Sequence, residues 1–91
     1  MTTLSPKIEI YTTMFCPFCI RAKRLLDAKG VGYDETDVTA KLSLRRAMTD
    51  RAGGRTSVPQ IFIDGQHIGG CDELLALERA GQLDQMLKVA S

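Results

Sequence analysis

The apolar residues of this chain come in short segments whose period switches between two and a helical spacing, and glycine follows the three longer helical segments and both strands of the hairpin. Strand-like and helix-like stretches must therefore take turns, which defines an α/β chain. Residues 7–11, Lys-Ile-Glu-Ile-Tyr, alternate as a half-buried strand does. From Pro17 onward, Cys19, Ile20, Ala22, Leu25 and Leu26 follow helical spacing, with Arg21, Lys23, Arg24, Asp27 and Lys29 on the polar side. Gly30 is placed to end that helix. Residues 31–38 are predicted as a weakly alternating strand. A second helix is predicted from about Thr39 to Arg51, its apolar side made of Leu42, Leu44, Ala47 and Met48, with Gly53-Gly54 as the stop. Residues 60–63, Gln-Ile-Phe-Ile, form a third strand, and Asp64-Gly65 is a hairpin turn that returns residues 66–68 antiparallel. After Gly69-Gly70, Asp72 is expected to cap a third helix carrying Leu74, Leu75, Leu77 and Ala80. Leu83, Met86, Leu87 and Val89 mark a short terminal helix.

The predicted order is β-α-β-α-β-β-α with a helical tail. A right-handed crossover makes the first two strands parallel, while the hairpin is antiparallel, so the sheet is mixed and its helices are expected on both faces. Ninety-one residues suit one domain, taken here as residues 1–91. Twelve basic residues against eleven acidic ones leave no excess charge for a phosphate backbone. The absence of tryptophan weakens base stacking too, so nucleic acid is excluded as a partner. No apolar run reaches the length of about 20 residues that a membrane span needs. Residues 1–7 lack the basic-then-apolar pattern of a secretory signal, and a cytoplasmic location is expected. In a reducing compartment, three cysteines speak for reactive or metal-bound thiols rather than a disulfide scaffold.

Cys16-Pro17-Phe18-Cys19 falls between the first strand and the first helix. A helix start offers unpaired N–H groups and a partial positive charge, both of which favour a thiolate, and such placement lowers a cysteine pKa from about 8.5 toward roughly 3.5–7.5. Cys16 is thus expected as an exposed nucleophile, and Cys19, one turn on, as its more buried disulfide partner. Pro17 stiffens the link without wasting a needed donor. Zinc held by Cys16, Cys19, His67 and Cys71 is the competing reading, but structural zinc favours paired knuckles over a lone pair opening an amphipathic helix, and no metal site is assigned.

The dithiol motif is followed in order by Ser57-Val58-Pro59-Gln60-Ile61-Phe62-Ile63 and by Gly69-Gly70-Cys71-Asp72-Glu73-Leu74. Together these three segments closely resemble the bacterial class I, dithiol glutaredoxins, over residues 8–87. The resemblance implies a thioredoxin-like fold with a four-stranded mixed sheet. It also implies glutathione-dependent reduction of protein disulfides and glutathione mixed disulfides, with Cys16 as nucleophile and Cys19 as resolving thiol. Glutathione would be a co-substrate, met in a groove formed by Cys16, Pro17, Phe18, Ser57, Val58, Pro59, Gly70, Cys71 and Asp72. The likeness implies a cis peptide before Pro59, strand-like pairing of the Val58 backbone with the glutathione cysteinyl group, and reception of the γ-glutamyl end by residues 70–72. Without the family, Pro59 would read as the start of an edge strand and Asp72 as an N-cap.

Other partners implied are disulfide-bearing or glutathionylated proteins, met by a monomer. A glutathione-ligated dimer bridging a [2Fe–2S] cluster is the rival, disfavoured in the family by the proline after the nucleophile. Two positions depart from the pattern. Phe18 stands where tyrosine is usual, and Thr13 where many relatives carry lysine for the glutathione glycyl carboxylate. Arg45, Arg46 and Arg55 are candidate substitutes for that charge. Cys71 is read as a semi-buried backbone contributor, and His67 as a structural residue of the hairpin. Met14 and Phe15 either form an apolar rim for protein substrates or pack the loop down.

Overall fold

The computed structural model describes residues 6–89, so most of the stretch read above for targeting signals lies outside the described residues. The chain runs β1 (Ile8–Thr12), α1 (Pro17–Ala28), β2 (Asp34–Asp37), α2 (Leu42–Arg51), β3 (Gln60–Ile63), β4 (Gln66–Gly69), α3 (Cys71–Arg79) and α4 (Leu83–Leu87). The sheet order is β2-β1-β3-β4, with β1 parallel to β2 and antiparallel to β3, and β4 antiparallel to β3. This is the mixed sheet expected from the sequence.

Alternation along β1 and β3 sorts the two faces. Ile8 and Ile10 pair across with Ile63 and Ile61. Directly opposed residues share a face. That face meets Ala22 and Leu26 of α1, Cys71 and Leu74 of α3, and Leu83 and Leu87 of α4 in one buried cluster. Gly30, at φ 73°, closes α1 in the left-handed conformation that a C-terminal glycine supplies.

The opposite face carries Glu9, Tyr11, Gln60 and Phe62, paired in the same register. Here α2 lies over the sheet. Its Arg51 guanidinium stands 4.0 Å from the Phe62 ring centroid and makes two bonds to Glu9 and one to the Tyr11 hydroxyl. Met48 is fully buried beside this group of elements. Burial of a methionine side chain is worth about 1.5–3 kcal/mol, whereas a partly exposed ion pair contributes at most about 1 kcal/mol. Met48 therefore anchors α2, and Arg51 sets its direction.

The structure corrects several expectations. Of the apolar positions assigned to α2, only Met48 is buried; Leu42, Leu44 and Ala47 face solvent, and Ala52 just past the helix end is buried instead. The helix starts at Leu42 rather than near Thr39, because Ala40 takes a positive φ of 55° and breaks the run. The second strand is only four residues long, Asp34–Asp37, half the predicted stretch.

Candidate active site

At the carboxyl end of β1 the chain turns through Thr13–Phe15 and enters α1 at Pro17, leaving Cys16 as the N-cap residue. The cap is a sulfur cap: the Cys19 backbone N–H donates to Cys16 Sγ at 3.1 Å. Cys16 and Cys19 form a disulfide, with their Cα atoms 5.2 Å apart. The same N–H and the helix dipole favour an anion on Cys16 once that bond is reduced, the dipole by about 0.3–1 kcal/mol. Cys19 is more buried than Cys16, as expected, but Cys16 itself is only 8% exposed. The sulfur is folded in over the helix start, 3.9 Å from the Val58 carbonyl oxygen, so its surface exposure is smaller than the sequence suggested.

Beside the disulfide runs an open groove of about 160 Å³, lined by Phe18, Arg55, residues 57–59 and residues 70–73. Three distant segments meet there. Residues 57–59 arrive from the loop before β3, with a cis bond between Val58 and Pro59. Residues 70–73 arrive at the start of α3. Gly69 permits their approach: it has φ 122°, and a Cβ there would lie 2.5 Å from the Glu73 carboxylate. Phe18 forms a wall, about half exposed, with the Arg21 guanidinium 5.8 Å from its ring centroid.

The cap of α3 is not Asp72. Gly70 is the N-cap residue, and its N–H donates to Glu73 Oε1 at 2.6 Å. Asp72 sits in the first helical turn, exposed, as a lining residue of the groove. Glu73 also pairs with Arg55 at 2.9 Å. The Gly70 N–H, and after it Arg55, hold the Glu73 carboxyl below its ordinary value of 4.5. Sequence reasoning missed Glu73 as a site residue, although Gly70-x-x-Glu73 has the spacing of an N-terminal capping box. Cys71 is buried, and burial pushes its thiol pKa up, which suits an inert thiol rather than a second nucleophile.

The remaining candidates separate from one another. Arg45 donates twice to the Thr56 carbonyl, at 2.9 and 3.2 Å, so it braces the loop before the groove. Arg46 lies exposed on α2. Of the three arginines only Arg55 lines the groove. His67 stacks on Phe62 and bonds to Gln60, on the sheet face opposite the cluster that holds Cys71. Thr13 is half-buried in the turn, and Met14 and Phe15 are exposed, Phe15 at 92%.

Because the Glu73 pKa is depressed on folding, its contribution to stability is complete above about 4.5 and is lost as pH falls through the lower folded value. A Glu73→Gln variant should therefore lose less stability than the parent between pH 5 and pH 3, as read by urea midpoints at each pH. The pair is more than 40% exposed, so the difference at neutral pH should stay within about 1 kcal/mol.

A cysteine pair at a helix start, on a four-stranded mixed sheet with helices on both faces, defines a thiol–disulfide oxidoreductase of the thioredoxin-like class. Comparison with known proteins narrows this. The glutaredoxin family model matches residues 8–68. Glutaredoxin 3 of Escherichia coli K12 is 54% identical over 81 residues, covering 89% of this chain and 96% of the relative. A probable glutaredoxin of Synechocystis is 55% identical over 84 residues, covering 92% and 96%. Among solved structures, a Brucella melitensis glutaredoxin superposes with a TM-score of 0.81 at 49% identity, covering 92% of this chain and 90% of that one. A buckwheat glutaredoxin–glutathione complex gives 0.82 at 30% identity, covering 91% and 77%. The chain belongs to the glutaredoxin family.

Proposed function

We propose that this glutaredoxin reduces glutathione mixed disulfides and protein disulfides, using glutathione as co-substrate. The observation that carries the proposal is the groove: the loop at Val58 ahead of β3 and the helix N-terminus at residues 70–72 line it beside one cysteine pair. The Cys16 thiolate attacks the glutathione sulfur of a mixed disulfide, and the substrate thiolate leaves and takes up a proton. Cys16 then carries glutathione. A second glutathione thiolate attacks that glutathione sulfur, releasing oxidised glutathione and the Cys16 thiolate. With a protein disulfide, Cys16 attacks one substrate sulfur and frees the other as a thiolate; Cys19 then attacks Cys16 of that mixed disulfide, the second substrate thiolate leaves, and two glutathione molecules reduce the Cys16–Cys19 bond.

In this reading Val58 pairs through its backbone with the cysteinyl part of glutathione, Pro59, Ser57 and Phe18 line the groove around it, and Pro17 fixes the start of α1 beside them. The N–H groups at Gly70, Cys71 and Asp72 suit the γ-glutamyl carboxylate, and the Asp72 carboxylate suits its ammonium. The chain works as one domain and a monomer in the reducing cytoplasm, with no resident metal or cluster. Among the described residues no helix is long and apolar enough to cross a membrane.

A coupled assay tests the proposal: mixed-disulfide reduction should proceed with glutathione and glutathione reductase, and should fail when thioredoxin reductase is supplied instead. Thr13→Lys adds a cation near the glycyl carboxylate. An exposed pair of up to about 1 kcal/mol lowers the KM for glutathione by about two- to fivefold. An unchanged KM would remove position 13 from the binding account.

A further inference from the structure

Gln60 is fully buried at the head of β3, yet both ends of its side-chain amide are engaged. Its Nε2 donates to the Ser57 carbonyl at 3.0 Å and lies 3.3 Å from Ser57 Oγ, and its Oε1 stands 2.7 Å from His67 Nε2. The Ser57 carbonyl can only accept, so the amide end facing it must be the nitrogen. The amide oxygen then faces His67, whose Nε2 must carry the proton. His67 is itself held against the Phe62 ring, 5.0 Å between centroids. The order of the chain is therefore Phe62, His67, Gln60, Ser57, each member fixing the next.

The last link bears on the groove. Ser57 and Val58 share a planar trans peptide, in which the carbonyl and the following N–H point in opposite directions. Drawing the Ser57 carbonyl inward onto Gln60 turns the Val58 N–H outward, at a residue that lines the groove. Ser57 is exposed, so this inward bond is what orients the peptide. We infer that Gln60, oriented by His67, is a positioning residue that presents the Val58 backbone to the glutathione moiety. This deepens the proposed function and rests on it.

The test compares Gln60→Met, which removes the amide at similar volume, with His67→Phe, which keeps the stacking but removes the donor, and His67→Gln, which keeps a donor. A lost hydrogen bond of about 1 kcal/mol should raise the KM for a glutathione–peptide mixed disulfide by about fivefold in Gln60→Met. His67→Phe should move the same way, and His67→Gln should remain near the parent. Turnover at saturation and the pH profile of Cys16 alkylation should not change, which separates positioning from a general loss of packing. A folded Gln60→Met with parental KM would overturn the inference, as would equal changes in KM and turnover. If Gln60→Met does not fold, the two His67 variants decide: identical KM values in both sink the idea. A parent protein that shows no glutathione-dependent turnover would instead overturn the proposed function beneath it.

Discussion

Cys16→Ser is expected to abolish both the glutathione route and the dithiol route, leaving only the uncatalysed exchange between glutathione and substrate. The nucleophile in thiol–disulfide exchange is a thiolate, and a serine hydroxyl neither ionises near neutral pH nor forms a bond to sulfur that the next thiol can reverse. The substitution costs little in structure. Serine is itself a favoured N-cap residue, so its Oγ can accept the Cys19 N–H that Cys16 Sγ accepts now. A circular dichroism spectrum and melting curve close to those of the reduced parent, with no turnover of a glutathionylated substrate, is the outcome that assigns the chemistry to the sulfur. Residual turnover above background would place the nucleophile elsewhere, and Cys71 would be the next residue to replace.

The second large effect separates two activities within one site. Cys19→Ser should lose turnover of protein disulfides, because no internal thiol remains to resolve the mixed disulfide on Cys16. It should keep reduction of glutathione mixed disulfides, which needs only Cys16 and a second glutathione. Cys19 is more deeply buried than Cys16. An external thiol therefore meets the outer sulfur, and Cys19 is reached from within the helix. Mass spectrometry of the variant, mixed with a glutathionylated peptide, should show one glutathione held on Cys16. Inactivation of both routes by Cys19→Ser would refute this division of labour.

Which parts of this were legible in the chain follows from how local each signal is. The order of elements could be read because strand alternation, helical spacing and glycine stops each act within a few residues. Gln60–Ile63 and the Asp64-Gly65 turn came through with their bounds intact for that reason. The apolar face of α2 did not. Leu42, Leu44, Ala47 and Met48 look alike to a local reading, and only the sheet surface, with Phe62 and Tyr11 pulling Arg51 down, determines which side turns inward. For the cap of α3 a local reading points to Asp72, because aspartate is a good cap. Gly69 at φ 122° delivers the chain two residues earlier, at Gly70, and Glu73 completes the turn from the other side.

The site divides along the same line. By itself the sequence determined that a cysteine pair opens a helix just after a strand, because spacing, Pro17 and the apolar period are all local; the chemistry of a thiolate follows from them. It also carried enough of the family pattern to point at residues 57–59 and 70–72. What only the tertiary structure decided is how those segments meet beside the disulfide, how little of Cys16 reaches the surface, and that the Arg55–Glu73 pair lines the groove. The same holds for the chain from His67 through Gln60 to Ser57. These contacts join residues brought together by strand register and crossover, and no local pattern along the chain encodes the distance between them.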